Sequence, residues 1–154
     1  MSHQPGSSLE GTPLLSSLRS AYDGRDVQAN LDETLRLHVV QLRDEVARLE
    51  VPRPVSSALE YICGHLYDPS LNVNAVLEEI DDPAPSFRSA FRWHVGLPPK
   101  RFIEASRMSA AQRAMNDTGA SCHVVSYRVG YIYYRTFSRA FRRFFGHAPG
   151  DPSS

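Results

Sequence analysis

Two stretches fifty residues apart carry the same skeleton. Residues 87–99 read FRSAFRWHVGLPP and residues 137–149 read FSRAFRRFFGHAP. The identities fall at Phe87/Phe137, Ala90/Ala140, Phe91/Phe141, Arg92/Arg142, Gly96/Gly146 and Pro99/Pro149. A repeat of this kind describes one structural unit used twice. Within each copy the two Phe residues are four apart, so they share one face of a helix. The glycine and proline that follow end that helix. From about residue 56 onward no segment alternates apolar and polar residues as a half-buried strand would. The chain is therefore expected to be all-α, built on two similar helical units.

The second copy lies inside VGYIYYRTFSRAFRRFFG, residues 129–146. Seven aromatics and four arginines stand there with no acidic residue. On a helical wheel from about Tyr133, Phe137, Phe141, Phe144 and Phe145 gather on one side. Arg135, Arg139 and Arg142 fall on the opposite side, with Arg143 beside them. An ordinary exposed face mixes charge signs. A face of one sign suits phosphates and base edges, although a solvated basic surface is the plain alternative.

The residues upstream supply a partner helix. VVSYRV precedes Gly130, and a short helix, a glycine turn and a second helix make a helix-turn-helix. Ser126 is small enough for a close helix crossing, and Gly130 can take the positive φ such a turn needs. In this motif the second helix enters the major groove and the first braces it. For the first unit, NVNAVLEEI is the bracing helix and DDP the turn. Asp82 is a candidate N-cap and Pro83 fits the first helical position. Between the units, PPKRFIEASRMSAAQRAMN reads as one long helix that holds them at a fixed spacing.

The net charge of zero hides a division. Residues 1–83 hold six arginines against fourteen acidic residues, a net of −8. Residues 84–148 hold eleven Lys and Arg against Glu104 and Asp117, a net of +9. Such asymmetry points to an acidic arm and a domain that meets a polyanion.

The arm is legible too. Residues 1–30 read as a loose start with a short helix at about 13–22. Residues 31–50 form a helix in which Leu35, Val39, Leu42, Val46 and Leu49 make a heptad seam. Asp32–Arg36 and Asp44–Arg48 are expected ion pairs on its wet side. The seam either pairs with a second copy, giving a homodimer through residues 31–50, or packs on its own domain. VPRPV at 51–55 stops the helix. The expected organisation is an N-terminal helical arm over 1–54 and a double helix-turn-helix domain over 55–150.

Several function classes find no support. No apolar run reaches the length of a membrane span, and the first residues do not resemble a signal peptide. A cytoplasmic protein is the expectation. Cys63 and Cys122 sit in apolar helical patterns and read as free thiols. Neither Cys63 with His65 nor Cys122 with His123 has zinc-site spacing. His94, His123 and His147 read as packing or turn residues. No nucleophile–base pair, metal cluster or phosphate loop marks an enzyme, and no cofactor is expected.

With both units on the page, the chain resembles the DNA-binding domain of the AraC/XylS transcription regulators of bacteria. The resemblance covers about residues 58–149. It is carried chiefly by VGYIYYRTFSRAFRRFFGHAP, and by Arg107, Met108, Ala111 and Met115 in the joining helix. It implies that each second helix meets the major groove of double-stranded DNA. Tyr134, Arg135, Thr136 and Arg139 would make contacts from the second unit, and Arg88 and Ser89 from the first. Arg92, Arg142 and Arg143 would face the DNA backbone, and RNA polymerase is a further candidate partner. Against the family pattern, Leu77 replaces a small alanine, Asp81 a glycine and Ser89 an arginine. Val124 replaces a glutamate, Tyr133 an aspartate and Arg135 a serine. The second unit is thus expected to do most of the reading. Larger family members carry a sensory β-barrel, for which residues 1–57 are too few. A stand-alone short regulator, or what remains of a longer one, is expected. The alternative is a non-DNA-binding protein that modulates another regulator through its helical arm.

Overall fold

The structure, a computed structural model, describes residues 13–80 and 85–150, with side chains from residue 27 onward. Among these residues there are seven helices and no strand. They are α1 (Pro13–Ala47), α2 (Arg53–Gly64), α3 (Val73–Ile80), α4 (Pro85–Val95), α5 (Pro99–Thr118), α6 (Cys122–Arg128) and α7 (Tyr134–Phe145). The expected loose start at 1–12, and Asp81, Asp82 and Pro83 of the first turn, lie outside the described residues.

Local chemistry explains the helix starts. Proline occupies the first helical turn of both α2 and α5, where its missing N–H costs nothing. Ser121 caps α6 by accepting a bond from the Val124 N–H at 3.3 Å. The Asn72 Oδ1 does the same at the start of α3, accepting from the Ala75 N–H at 2.8 Å.

Each helix-turn-helix builds its own core, and α5 passes through both. In the first, Ala58, Leu59 and Ile62 of α2, Val76 of α3, and Phe87 and Phe91 of α4 close over Ile103 of α5. In the second, Val125 from α6, Val129 and Tyr131 from the turn, and Phe137, Ala140 and Phe141 from α7 close over Met108, Ala111 and Ala114. Phe91 and Phe137 are both fully buried. Burying a side chain of that size contributes roughly 1.5–3 kcal/mol. Phe145, expected in the core, is only partly buried and packs on the edge of Phe141, ring centroids 4.5 Å apart.

The arm differs from its sequence reading in three ways. One helix runs from Pro13 to Ala47, where a short helix and a later one were expected. It passes through Gly24 and stops before Leu49, which is 40% exposed. The expected ion pairs are not formed. Arg36 pairs with Glu33 at 2.7 Å, Asp32 reaches across to Arg128, and Asp44 and Arg48 stay beyond ion-pair distance of each other. The reason lies in the seam, which packs on its own domain. Leu31 and Leu35 enter the second core, while Val39, Leu42 and Val46 lie against the first. Docking this face on α2 and α5 carries Asp32 toward α6. The Tyr67 hydroxyl, donating to the Leu35 carbonyl at 2.9 Å, and Arg113, bonded to Gln41, fasten α1 from either side.

A buried arginine joins the two units. Arg107 of α5 is 7% exposed. Its Nε donates to the Leu66 carbonyl and its Nη2 to the Asp68 carbonyl, both at 2.8 Å, in the turn between α2 and α3. Its guanidinium also lies over the Tyr131 ring, 5.5 Å from the centroid. Burial pushes the Tyr131 phenol upward, although the cation beside it opposes that shift. The same guanidinium sets the α6–α7 turn. A Cβ at Gly130 would stand 2.9 Å from the Arg107 Cζ, and Gly130 has φ +108°. The backbone therefore favours glycine there, and any side chain would have to displace the Arg107 guanidinium.

Candidate nucleic-acid interface

The site is built from α7 outward. Phe137, Ala140 and Phe141 are buried along one side. That side fixes the rotation of the helix, and the opposite side presents Arg135, Thr136, Arg139, Arg142 and Arg143, all exposed. The expected division of aromatics inward and arginines outward is the observed one.

The electrostatics are uneven along this face. Arg143 meets Glu104 of α5 at 3.7 Å, and Arg101 meets the same carboxylate at 3.8 Å. Arg143 is thereby tied to the joining helix. Arg135, Arg139 and Arg142 make no ion pair among the described residues. Three guanidinium groups on three turns of one short helix thus keep their charge uncompensated by protein. Charge-assisted bonds to phosphate, or bidentate bonds to a guanine edge, are what such groups can make.

The tyrosines at the head of α7 differ. Tyr133 occupies the N-cap position, makes no capping bond through its side chain, and is 71% exposed. Tyr134 is half-buried. Its ring stacks on His123 at 3.9 Å between centroids, and its hydroxyl donates to Cys122 Sγ at 3.1 Å. Ile132, next to Tyr133 in the turn, is 62% exposed. Sequence reasoning passed over Ile132. Its signal was an apolar residue stranded between a turn glycine and a helix start.

The first unit presents a thinner face. Arg88, Ser89 and Arg92 of α4 are exposed, and neither arginine has an ion-pair partner among the described residues. Trp93 is 83% exposed, so it is a surface residue and not core. Glu78 and Glu79 stand exposed at the end of α3. Arg88, Ser89 and Arg92 are carried on the helix equivalent to α7, so the structure places the two sets of site residues on corresponding elements. Each of those helices packs on α5.

No described helix is long and apolar enough to cross a membrane. Among the described residues no three His, Cys, Asp or Glu side chains gather as a metal site would require.

Comparison with known proteins agrees with this geometry. Residues 83–152 match a family of helix-turn-helix domains. The HTH-type transcriptional activator RhaS of Pectobacterium carotovorum is 24% identical over 121 residues, covering 76% of this chain and 43% of RhaS. The arabinose operon regulatory protein of Escherichia coli K12 is 25% identical over 122 residues, covering 79% of this chain and 42% of that protein. The chain thus spans less than half the length of these relatives. Among solved structures, the C-terminal domain of AraT, a response regulator from Geobacillus stearothermophilus, superposes with a TM-score of 0.60. It is 25% identical and covers 66% of this chain and 83% of that one. With this match and these relatives, the chain carries a helix-turn-helix domain and is similar to transcription regulators of the AraC type.

Proposed function

We propose that this protein is a sequence-specific DNA-binding transcription regulator that reads the major groove chiefly through α7. The observation that carries the reading is the face of Arg135, Arg139 and Arg142. All three are exposed and none is ion-paired among the described residues, on a helix whose other side is core. A buried back fixes which side chains face out, and a one-sign front favours a polyanion. The length of α5 supports a two-site grip. Its 20 residues span about 30 Å, close to the ~34 Å of one DNA turn. In this reading Arg135 and Arg139 contact bases, with Thr136 beside them. Arg142 faces phosphate, Arg88 and Ser89 make a weaker contact one turn away, and Arg92 lies along the backbone. Tyr134 positions the helix start through His123, and Arg143 divides its charge between Glu104 and the DNA backbone. RNA polymerase at a promoter is the further partner.

Selection of bound duplexes from a random pool tests this. A single enriched site, bound with an affinity that falls steeply with salt, is the expected result. A pool that emerges unenriched at low salt overturns it and moves the fold to protein–protein regulation. If a site is recovered, transcription from a promoter carrying it measures the effect on RNA polymerase.

A further inference from the structure

Between α1, the C-terminal end of α2 and the end of α6 lies an open groove of about 750 Å³. Its floor is apolar, made by Leu35 and Val39 of α1 with Cys63 and Tyr67. Burial pushes both the Cys63 thiol and the Tyr67 phenol upward, so the floor carries no charge near neutral pH. The rim carries both signs: Arg36, Arg43 and Arg128 stand there with Asp32 and with Asp68, whose carboxylate accepts from the Ser70 N–H and hydroxyl. Arg36 is paired with Glu33, and Arg128 with Asp32. Arg43 has no ion-pair partner among the described residues, and it lies across the end of α2, its Nη2 within 3.5 Å of where a Gly64 side chain would begin. His65 stands beside it, its Nδ1 held at 2.9 Å from the Tyr61 carbonyl. The groove therefore offers an uncharged floor and one uncompensated guanidinium.

We infer that this groove is a binding site for a small amphipathic anion, an apolar body carrying one carboxylate, with Arg43 as its counter-ion. The volume lies in the range of small-molecule clefts, and a few fixed polar groups on an apolar lining are what such clefts use. The position matters as much as the chemistry. The floor joins α1 to α2 of the first unit, and Tyr127 and Arg128 of α6 close the far end. A ligand seated there touches both helix-turn-helix units at once. It favours whichever relative arrangement of the two keeps the groove open to it.

The test uses the full chain with phenylbutyrate and its neutral counterpart phenylbutanol, followed by calorimetry and by NMR of the Leu and Val methyl groups. The acid is expected to bind and to shift the methyl resonances of Leu35, Val39 and Val40. The alcohol should bind about tenfold more weakly, the loss of one charge-assisted contact. Arg43→Gln should weaken the acid about tenfold and leave the alcohol unchanged, at an unaltered melting temperature. Equal affinity for acid and alcohol, an unchanged affinity in Arg43→Gln, or methyl shifts confined to other parts of the molecule would each overturn the assignment. Should Arg43→Gln prove unstable, Val40→Glu serves instead. It places a carboxylate at the exposed rim and should repel the acid without touching the floor.

Discussion

The two helix-turn-helix units share a skeleton and differ in what they show to solvent. Phe87 and Phe91 do in α4 what Phe137 and Phe141 do in α7, and both pairs are buried on α5. Outward, α7 carries three uncompensated arginines, whereas α4 carries two with Ser89 and an exposed Trp93. The flanks differ too. Exposed Glu78 and Glu79 end the bracing helix of the first unit, while Arg128 ends that of the second. The lesson is that packing and surface charge are set by different residues of the same helix. The inward positions define the unit, and the outward positions are free to diverge.

The largest expected effect tests the shared skeleton. Phe137→Ala and Phe87→Ala should each lower unfolding stability by about 3–5 kcal/mol in urea melts. A large loss at one site and a negligible one at the other would break the equivalence of the units.

The glycines sharpen a difference. Gly130→Ala must adopt φ +108° and displace the Arg107 guanidinium, and should lose about 2–3 kcal/mol. Gly96→Ala has a comparable φ of +97° but meets nothing within 4 Å, so about 1 kcal/mol is expected. Similar losses at the two sites would show that Arg107 yields without cost.

On the outward faces, Arg135→Ala or Arg139→Ala should weaken DNA binding by about 1–3 kcal/mol and relax specificity. Arg88→Ala should do less. A stronger effect from Arg88 than from Arg135 would reverse the assignment of the reading helix. Smaller again are the caps of the bracing helices. Ser121→Ala and Asn72→Ala should each cost about 1 kcal/mol of stability, read from thermal midpoints.

The smallest effect concerns the helix that spans both units. His38 of α1 is held below its ordinary value of 6.5, first by burial and then by Arg113, with Glu45 and the Ser106 backbone opposing. Its neutral form is favoured in the folded state. The stability this gives is present above pH 6.5 and is lost as the pH falls through the depressed folded value. His38→Gln should flatten that part of the pH–stability profile. An unchanged profile would assign the acid sensitivity elsewhere.

How much of this could be read from the chain varies with the physical signal. The doubled unit was legible because aromatic spacing is a strong periodic pattern and arginine has few uses on a face without acids. The Leu35–Val46 seam was legible as apolar but not as to its partner, since a heptad stripe looks the same whether it meets a second copy or its own domain. The continuation of α1 through Gly24 was not legible, because Asp23, Gly24 and Asn30 have poor helix propensity. Arg107 was placed on the right helix, but its burial was missed. The clue was its position on a stripe of Ile103, Ala111 and Ala114, where a charge needs carbonyl partners that sequence cannot locate. The outcome at Arg143 was equally hidden, since Glu104 comes near it only after both helices pack.

The lie of α1 across both cores bears on how the molecule acquires its structure in time. Leu31 and Leu35 meet side chains that arrive about 70 to 110 residues later in the chain, such as Met108 and Phe141. During synthesis that apolar stripe leaves the ribosome long before α5 exists to cover it. Closing such separations slows folding and leaves the stripe open to other chains in the interval. A helix that unites the finished protein thus waits for most of the chain before its apolar face is covered.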